Sequence, residues 1–387
     1  MRRRKLLVLG AGPAQLGLLE AAARRDDVHV IAVDRDPAAV GFPLADERAV
    51  LSTEDEPAVD RLARARDVDG LISPGADWPV GIAARVAERL GVAHPIDGRT
   101  GAIVTSKLRQ RERFAEAGVP HPRTWTEPEA ASVPCVVKAP DRQGQRGLGL
   151  VRSPGELATA VADAREASRG GGVLVEELIE GPEVTVNAIS VDGAFVPLAV
   201  ADRLTAEPPA FGVALAHVWP SPAETDAVLE VARAAVEAVG IRSGPSYTQL
   251  RVGPGGPVVM EVAARLGGGH DAELVEAATG VDLNALAVGF ALGEPITTPT
   301  SERRARGAAI VFLVPPAGEL VLVDGVEDAT AGSGVEWVRI YRRPGHVFGE
   351  LRRGADRAGA VLATGSTREE AEARAHQAAR AIRFVVR

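Results

Sequence analysis

Two short β-rich runs, Tyr247–Val252 and Pro257–Val262, flank Gly253-Pro254-Gly255-Gly256 in this 387-residue chain. Proline suits the second position of a type I turn and a following glycine tolerates positive φ, so the stretch predicts a β-hairpin. A three-residue loop, Pro254-Gly255-Gly256, pairs Gly253 with Pro257 and sets Gln249 opposite Glu261. Cross-strand partners share a face with Cβ atoms about 5 Å apart. A four-residue loop would put them on opposite faces. In the first register an amide oxygen and a carboxylate stand side by side, and Arg265 and Gly267-Gly268-Gly269 follow closely. Mg2+ takes hard oxygen ligands, usually one or two side chains plus substrate phosphates. A guanidinium grips a second anion with its fork of donors. The stretch reads either as a phosphate-and-metal site or as an ordinary hairpin with a polar face.

The chain opens with strand Lys5–Leu9, a glycine turn over Gly10–Gly17, helix Leu18–Arg25 and strand Val28–Val33, which ends at Asp34. This nearly matches the dinucleotide-binding fingerprint, but Gln15 stands at the third glycine position and Gly17 comes two places late. Strand Ala49–Leu51, helix Glu56–Arg66, strand Gly70–Ser73 and helix Pro79–Leu90 continue the alternation, so residues 1 to about 98 predict a doubly wound unit. Asp77-Trp78 follows a strand end, where open α/β sheets bind ligands. Thr105–Ala117 predicts an amphipathic helix opened by Ser106 and Lys107, and Pro134–Ala139 a strand carrying Lys138. The polar, glycine-rich Asp141–Gly149 could wrap backbone N–H groups around phosphates, with Arg142 and Arg146 adding charge, or be a plain surface loop. Val151 then starts a strand, Gly155–Ser168 forms a helix, and strands Val173–Glu177 and Val184–Ser190 bracket Glu180–Glu183. Asp192–Val200 continues the sheet, Leu204–Phe211 is a loop and Ala223–Val239 an amphipathic helix. Asp271–Leu292 is helical with a break at Gly280, and 297–304 is a linker. Strands Ala308–Val314, Glu319–Val323, Trp337–Tyr341 and Ala360–Gly365 precede helix Arg368–Ile382, capped by Thr367 with Glu370 completing a capping box.

A net charge of −8 argues against a nucleic-acid surface. The single cysteine, Cys135, excludes an internal disulfide framework and fits a reducing cytoplasm. It lies in the apolar run Val133–Val137 and reads as a small core residue. The basic start followed by Leu6–Leu9 imitates a signal peptide, but Gly10, Gly12 and Pro13 end the apolar run too early for export. No stretch approaches membrane-spanning length, so a cytoplasmic protein without membrane or nucleic-acid partners is expected.

Taken in series, SKLRQRERFAEAGVP with Lys107, VVKAPDRQGQRGLGLV, VLVEELIEGPEVTVNAI and YTQLRV…VVMEVAARLGGGH resemble the ATP-grasp superfamily over nearly the whole chain. The resemblance implies an α/β ATP-grasp fold: an N-terminal open parallel α/β domain at 1–100, an ATP-grasp domain at 101–300 with an α+β lid at about 134–182, and a C-terminal antiparallel-sheet subdomain at 301–387 that completes the core. ATP would lie between two sheets. Lys107 and Lys138 would meet its α/β phosphates, and Gln143, Gly144, Arg146 and Gly147 would cover the triphosphate. The Glu176 side chain would accept from the adenine amino group, the backbone of Glu177 and Leu178 would read the ring edge, and Glu183 would take the ribose hydroxyls. Gln249 and Glu261 would carry Mg2+, with Mn2+ as a substitute, and Arg265 would be the catalytic group that holds the transferred phosphoryl. His217, Gly268 and His270 are the possible substrate contacts, the histidines being equally readable as structural.

The implied reaction is ATP-dependent amide formation: a carboxylate attacks the γ-phosphate, giving an acyl phosphate and ADP, and an amine displaces phosphate. A small-molecule carboxylate and amine are the expected partners, and a homodimer is compatible with the resemblance. Two departures stand out. Many members have Glu at the Gln249 position, and Ala263 replaces the Asn of the common Glu-x-Asn pair, which leaves one or two metal ions open. FLVPPAGEL and VLATGSTREEAEARA most resemble the amino-acid-ligase branch. The competing readings are a bicarbonate-activating ATP-grasp carboxylase, an NAD-dependent oxidoreductase built on Gly10–Asp34, and a weakly catalytic nucleotide-binding protein.

Overall fold

A computed structural model describes residues 2–300 and 304–387 of the chain; residues 301–303 of the expected linker lie outside that range. The N-terminal sheet is parallel, with spatial order Glu47–Val50, Val28–Asp34, Arg4–Leu9, Gly70–Ile72. Arg4–Leu9 is paired on both edges, and Leu6 to Leu9 are fully buried, as expected of a parallel strand covered on both faces. Helix Asp77–Leu90 starts at the end of the last of these strands and carries Asp77 in its first turn.

The helix expected over Thr105–Ala117 runs Lys107–Ala117, and a separate, unexpected helix, Gly98–Val104, precedes it. Asp97 caps the first, accepting from the Thr100 N–H at 2.7 Å, and Ser106 restarts the chain by accepting from the Arg109 N–H at 3.4 Å. The break places Lys107 at a helix N-terminus, its own N–H bonded to the Pro140 carbonyl at 2.9 Å.

The lid is a four-stranded antiparallel sheet of order Thr124–Trp125, Leu174–Glu177, Cys135–Lys138, Leu148–Val151, with helix Pro154–Ala167 on one face. It therefore begins ahead of residue 134. Val151 ends its strand rather than starting one, because Cys135 pairs with Val151 and Lys138 with Leu148. Cys135, Val137, Val151, Val161, Ala164 and Val175 form the lid's own small core. The Cys135 thiol is buried in it and pushed up in pKa by that burial.

The central sheet has eight strands in the order Gly256–Ala263, Gly244–Gly253, Glu183–Val191, Ala194–Thr205, Ala214–Trp219, Gly307–Leu313, Gly359–Gly365, Val335–Ile340. Three come from beyond residue 306, so the C-terminal region is continuous with the core. Ala194–Thr205 runs through Leu204, where a loop was expected, and Ala214–Trp219 was missed because alanines mute its alternation. A smaller sheet of order Val347–Phe348, Gly318–Asp324, Arg383–Val386 adds the last strand, also unexpected. Thr367 caps helix Arg368–Ala381, accepting from the Glu370 N–H at 3.1 Å. Glu370 itself accepts from Ser366 N–H at 2.6 Å, one residue before the cap, so the capping box is not the one expected. No single helix among the described residues is long and apolar enough to cross a membrane.

Candidate active site

The hairpin forms, with a tighter turn than its sequence suggested. Gly253 pairs with Gly256 across Pro254-Gly255, which alone would put Gln249 and Glu261 out of register. A bulge at Met260 inserts one residue, and Gln249 pairs with Glu261. Arg111 holds the bulge, donating from its Nη2 to the Met260 carbonyl at 2.7 Å.

Two clefts meet at this pair. The first, about 830 Å3, lies between lid and central sheet, and Lys107, Lys138, Leu178, Glu183, Gln249 and Glu261 line it. The second, about 1370 Å3, lies between the N-terminal sheet, the 266–270 loop and the C-terminal strands, and Gln15, Asp77, His217, Arg265 and Arg357 line it. Gln143 to Arg146, Arg203, Gln249 and Glu261 border both.

The acidic groups of the first cleft are engaged, whereas Arg142 and Arg146 have no carboxylate in ion-pair range among the described residues. Lys107 Nζ lies 2.9 Å from Glu261 and 2.8 Å from the Arg142 carbonyl. Glu183 accepts from Arg203 at 2.6 Å and Arg251 at 3.1 Å. Glu176 is fully buried, 2.5 Å from both Arg111 and Lys138. Burial alone would raise its pKa; the two cations outweigh that and hold it down to about 2. It is fully buried behind these cations and does not reach the lining of the cleft, where Glu177, Leu178 and Glu183 stand, so its side chain does not suit the adenine-acceptor role expected of it; it lies against Lys138 instead. The Glu177 carboxylate is likewise engaged, by the Arg123 N–H at 2.9 Å. Gln249 Nε2 donates to the Tyr247 hydroxyl at 3.3 Å, which turns its carbonyl oxygen away from that bond.

The 141–147 loop spans the clefts. The Gln143 side chain accepts from the Asp77 N–H, and Gln145 from the Gly354 N–H at 3.3 Å. Gly147 packs so closely on Ala139 and Ala164 that no side chain fits there, and Gly144 and Arg146 lie exposed.

In the second cleft Arg265 is fixed by Asp77 at 2.5 Å and by the Leu266 carbonyl at 2.7 Å, over the Tyr247 ring. The two expected histidines separate. His270 spends both nitrogens, Nδ1 against Glu273 at 3.1 Å and Nε2 against the Tyr341 hydroxyl at 2.5 Å, and is structural. His217 lies 2.8 Å from Asp271 through Nδ1 only. Gly268 contributes backbone to the wall. The glycine run is there for close packing rather than flexibility: a Cβ on Gly269 would sit 2.6 Å from His217 Cε1.

Pro13, Ala14 and Gln15 form part of the floor of this cleft. The Asp34 carboxylate, the fingerprint's acidic residue, accepts from the Ala11 N–H at 2.9 Å and the Asp36 N–H at 3.0 Å, shaping its own turn. Sequence reasoning missed Arg111, Arg203, Arg251 and Arg357. The only sequence signal was charge set inside apolar runs, as in Ala-Asp-Arg203-Leu.

Residues 122–298 match the family model of the carbamoyl-phosphate synthase L chain ATP-binding domain, and 311–387 that of the L-amino acid ligase C-terminal domain 2. The formate-dependent phosphoribosylglycinamide formyltransferase of Burkholderia vietnamiensis is 30% identical, over 98% of this chain and 95% of its own. The uncharacterized protein y4rH of Sinorhizobium fredii is 28% identical over 91% of this chain and 76% of its own. The crystal structure of the L-amino acid ligase from Bacillus licheniformis superposes with a TM-score of 0.83 at 22% identity, covering both chains fully. The chain belongs to the ATP-grasp superfamily. Within it, the enzyme is an ATP-dependent ligase that forms carbon–nitrogen bonds.

Proposed function

We propose that this ligase activates a small carboxylate as its acyl phosphate in the second cleft, using ATP held in the first, and then joins it to an amine. The observation that carries this is the shared wall: the Gln249–Glu261 pair borders both clefts, with Lys107 on one side and Arg265 across the other. A γ-phosphate at that wall faces the cleft where Arg265 stands.

Lys107 and Lys138 neutralise the phosphates, the 143–147 loop covers them, and Glu183 takes the ribose. Backbone at Glu177 and Leu178 reads the adenine edge. Positioning and charge neutralisation do most of the work in phosphoryl transfer, so no protein nucleophile is required. Arg265, locked by Asp77, is the preorganised partner for charge on the transferred group. Glu261 and Gln249 supply one carboxylate and one amide oxygen, a donor set that suits Mg2+ completed by phosphate oxygens. The metal would add charge neutralisation there. Ala263 is apolar and buried beside them, which favours a single ion. A structural neighbour, the biotin carboxylase domain of a Hydrogenobacter thermophilus enzyme, is complexed with MgADP and bicarbonate. The 1–100, 101–300 and 301–387 division is proposed as the working domain scheme, with the lid extended back to Thr124.

The names of the relatives point to L-amino acids and formate as first carboxylates to test. Phosphate release measured over a matrix of those carboxylates and of amines tests the proposal. Release that requires both partners and yields an amide is expected. Release with a carboxylate and no consumption of any amine would contradict it.

A further inference from the structure

Among the described residues His217 Nε2 is a buried polar atom without a hydrogen-bond partner. Such atoms are rare in native proteins and call for a reason. His217 is 2% exposed and lines the second cleft. It stands on strand Ala214–Trp219, paired with Arg203 on one side and Ile310 on the other, and its ring meets Phe312 edge-on at 5.6 Å. Its orientation is thus set by the sheet.

The other nitrogen is fixed by a built arrangement. Asp271 is fully buried; Oδ1 lies 2.8 Å from His217 Nδ1 and Oδ2 accepts from the Gly269 N–H at 3.1 Å. Burial would raise the Asp271 pKa, but the hydrogen bonds from His217 and the Gly269 N–H, with Arg203 near by, outweigh this and hold it below the usual carboxylate range. In the neutral ring an acceptor at Nδ1 places the proton on that nitrogen and leaves the lone pair on Nε2. Arg203, the charged neighbour on the adjoining strand, is turned to Glu183 and the Gly212 carbonyl.

We infer that His217 is the general base for the amine in the second half-reaction, with Asp271 as its positioning residue. This rests on the ligase reading above. The amine nitrogen's lone pair forms the C–N bond to the acyl carbon. The C–O bond to phosphate breaks and its electron pair leaves with the phosphate. The proton shed by the nitrogen passes to Nε2, and the imidazolium returns it to the departing phosphate. The first half-reaction makes no use of His217.

The test separates the two halves with hydroxylamine, a nucleophile weakly basic enough to react without a protein base. The parent enzyme is first given ATP, Mg2+, hydroxylamine and each of formate and the L-amino acids, and hydroxamate is measured. His217→Asn is then assayed with the accepted carboxylate against hydroxylamine and against the accepted amine. The inference predicts about a 100- to 10,000-fold slower amide formation, the usual worth of a positioned base, against a far smaller loss of hydroxamate formation. Asp271→Asn should lower kcat for the amine while leaving the KM for ATP unchanged. Equal loss with both nucleophiles, or none with the amine, overturns the base assignment while leaving the ligase reading standing. A parent that gives no hydroxamate with any carboxylate overturns the ligase reading and this inference with it.

Discussion

The two clefts differ in how their most buried charges are held: ion pairs dominate the first, while the second combines the Arg265–Asp77 pair with arginines that have no carboxylate partner among the described residues. In the cleft proposed for the nucleotide three carboxylates are spent on cations, Glu176 on Arg111 and Lys138, Glu183 on Arg203 and Arg251, and Glu261 on Lys107, and a fourth, Glu177, on the Arg123 N–H. On the acceptor side Arg342 and Arg357 have no carboxylate in ion-pair range among the described residues. Arg342 donates to the Tyr341 and Ala355 carbonyls, Arg357 to those of Gly354 and Ala214. Burial brings the Arg357 guanidinium down to about 10. A wall whose carboxylates are paired can stay folded as ligands come and go, because no buried acid is left alone, while Arg142 and Arg146 stay without a carboxylate partner among the described residues. An uncompensated wall has free donors for an anionic substrate, at some cost in stability.

Breaking compensation should have the largest effect. Removing one partner of a buried ion pair costs about 3–5 kcal/mol, so Glu176→Ala should lower Tm by several degrees. A Tm equal to the parent's would contradict the compensated wall. The same pair gives a pH signature. The Glu176 pKa falls from 4.5 to about 2 on folding, so its contribution is present above pH 4.5 and lost as pH drops toward 2. Acid unfolding of Glu176→Gln should lack that component, as urea titrations at stepped pH would reveal.

On the acceptor side the losses should fall on catalysis rather than folding. Arg265→Lys keeps the charge but loses the separate donors that hold Asp77 through Nε and the Leu266 carbonyl through Nη1, and about 100- to 1000-fold in turnover is expected, with ATP affinity retained. Weakened ATP binding instead would move Arg265 to the nucleotide side. Arg357→Met should raise the KM of a substrate about tenfold, in line with a hydrogen bond to a charged group, and leave Tm unchanged or higher. A large drop in Tm would mean that Arg357 is compensated after all. Smallest of all, Gln249→Glu should alter turnover only a few-fold and lower the Mg2+ concentration needed, since it adds a charge where an oxygen ligand already stands.

The nucleotide side was the more legible in the sequence, because its residues come in local motifs: Lys107, Lys138, the 141–149 loop, Glu176–Glu183 and the hairpin each occupy a few consecutive positions. The facing of Gln249 and Glu261 was anticipated from an incorrect turn; the bulge at Met260 compensated for the tighter loop, and a bulge leaves no clear mark on side-chain alternation. Glu176 shows the limit of motif reading, since only Arg111, 65 positions away, reveals that its carboxylate is occupied. The acceptor side is assembled from Gln15, Asp77, His217, Arg265 and Arg357, which no spacing rule connects. Free and spent histidines also look alike in sequence: His217 and His270 differ only in whether Tyr341 reaches the second nitrogen.

The central claim is that the Gln249–Glu261 wall joins the clefts by holding metal and phosphates between them. ADP formation by Glu261→Gln, measured across Mg2+ concentrations with a carboxylate the parent accepts, tests it most directly. The substitution keeps the shape and removes the charge, and about a 100- to 1000-fold loss is expected, partly recovered at high Mg2+. Turnover equal to the parent's at every Mg2+ concentration would contradict the claim.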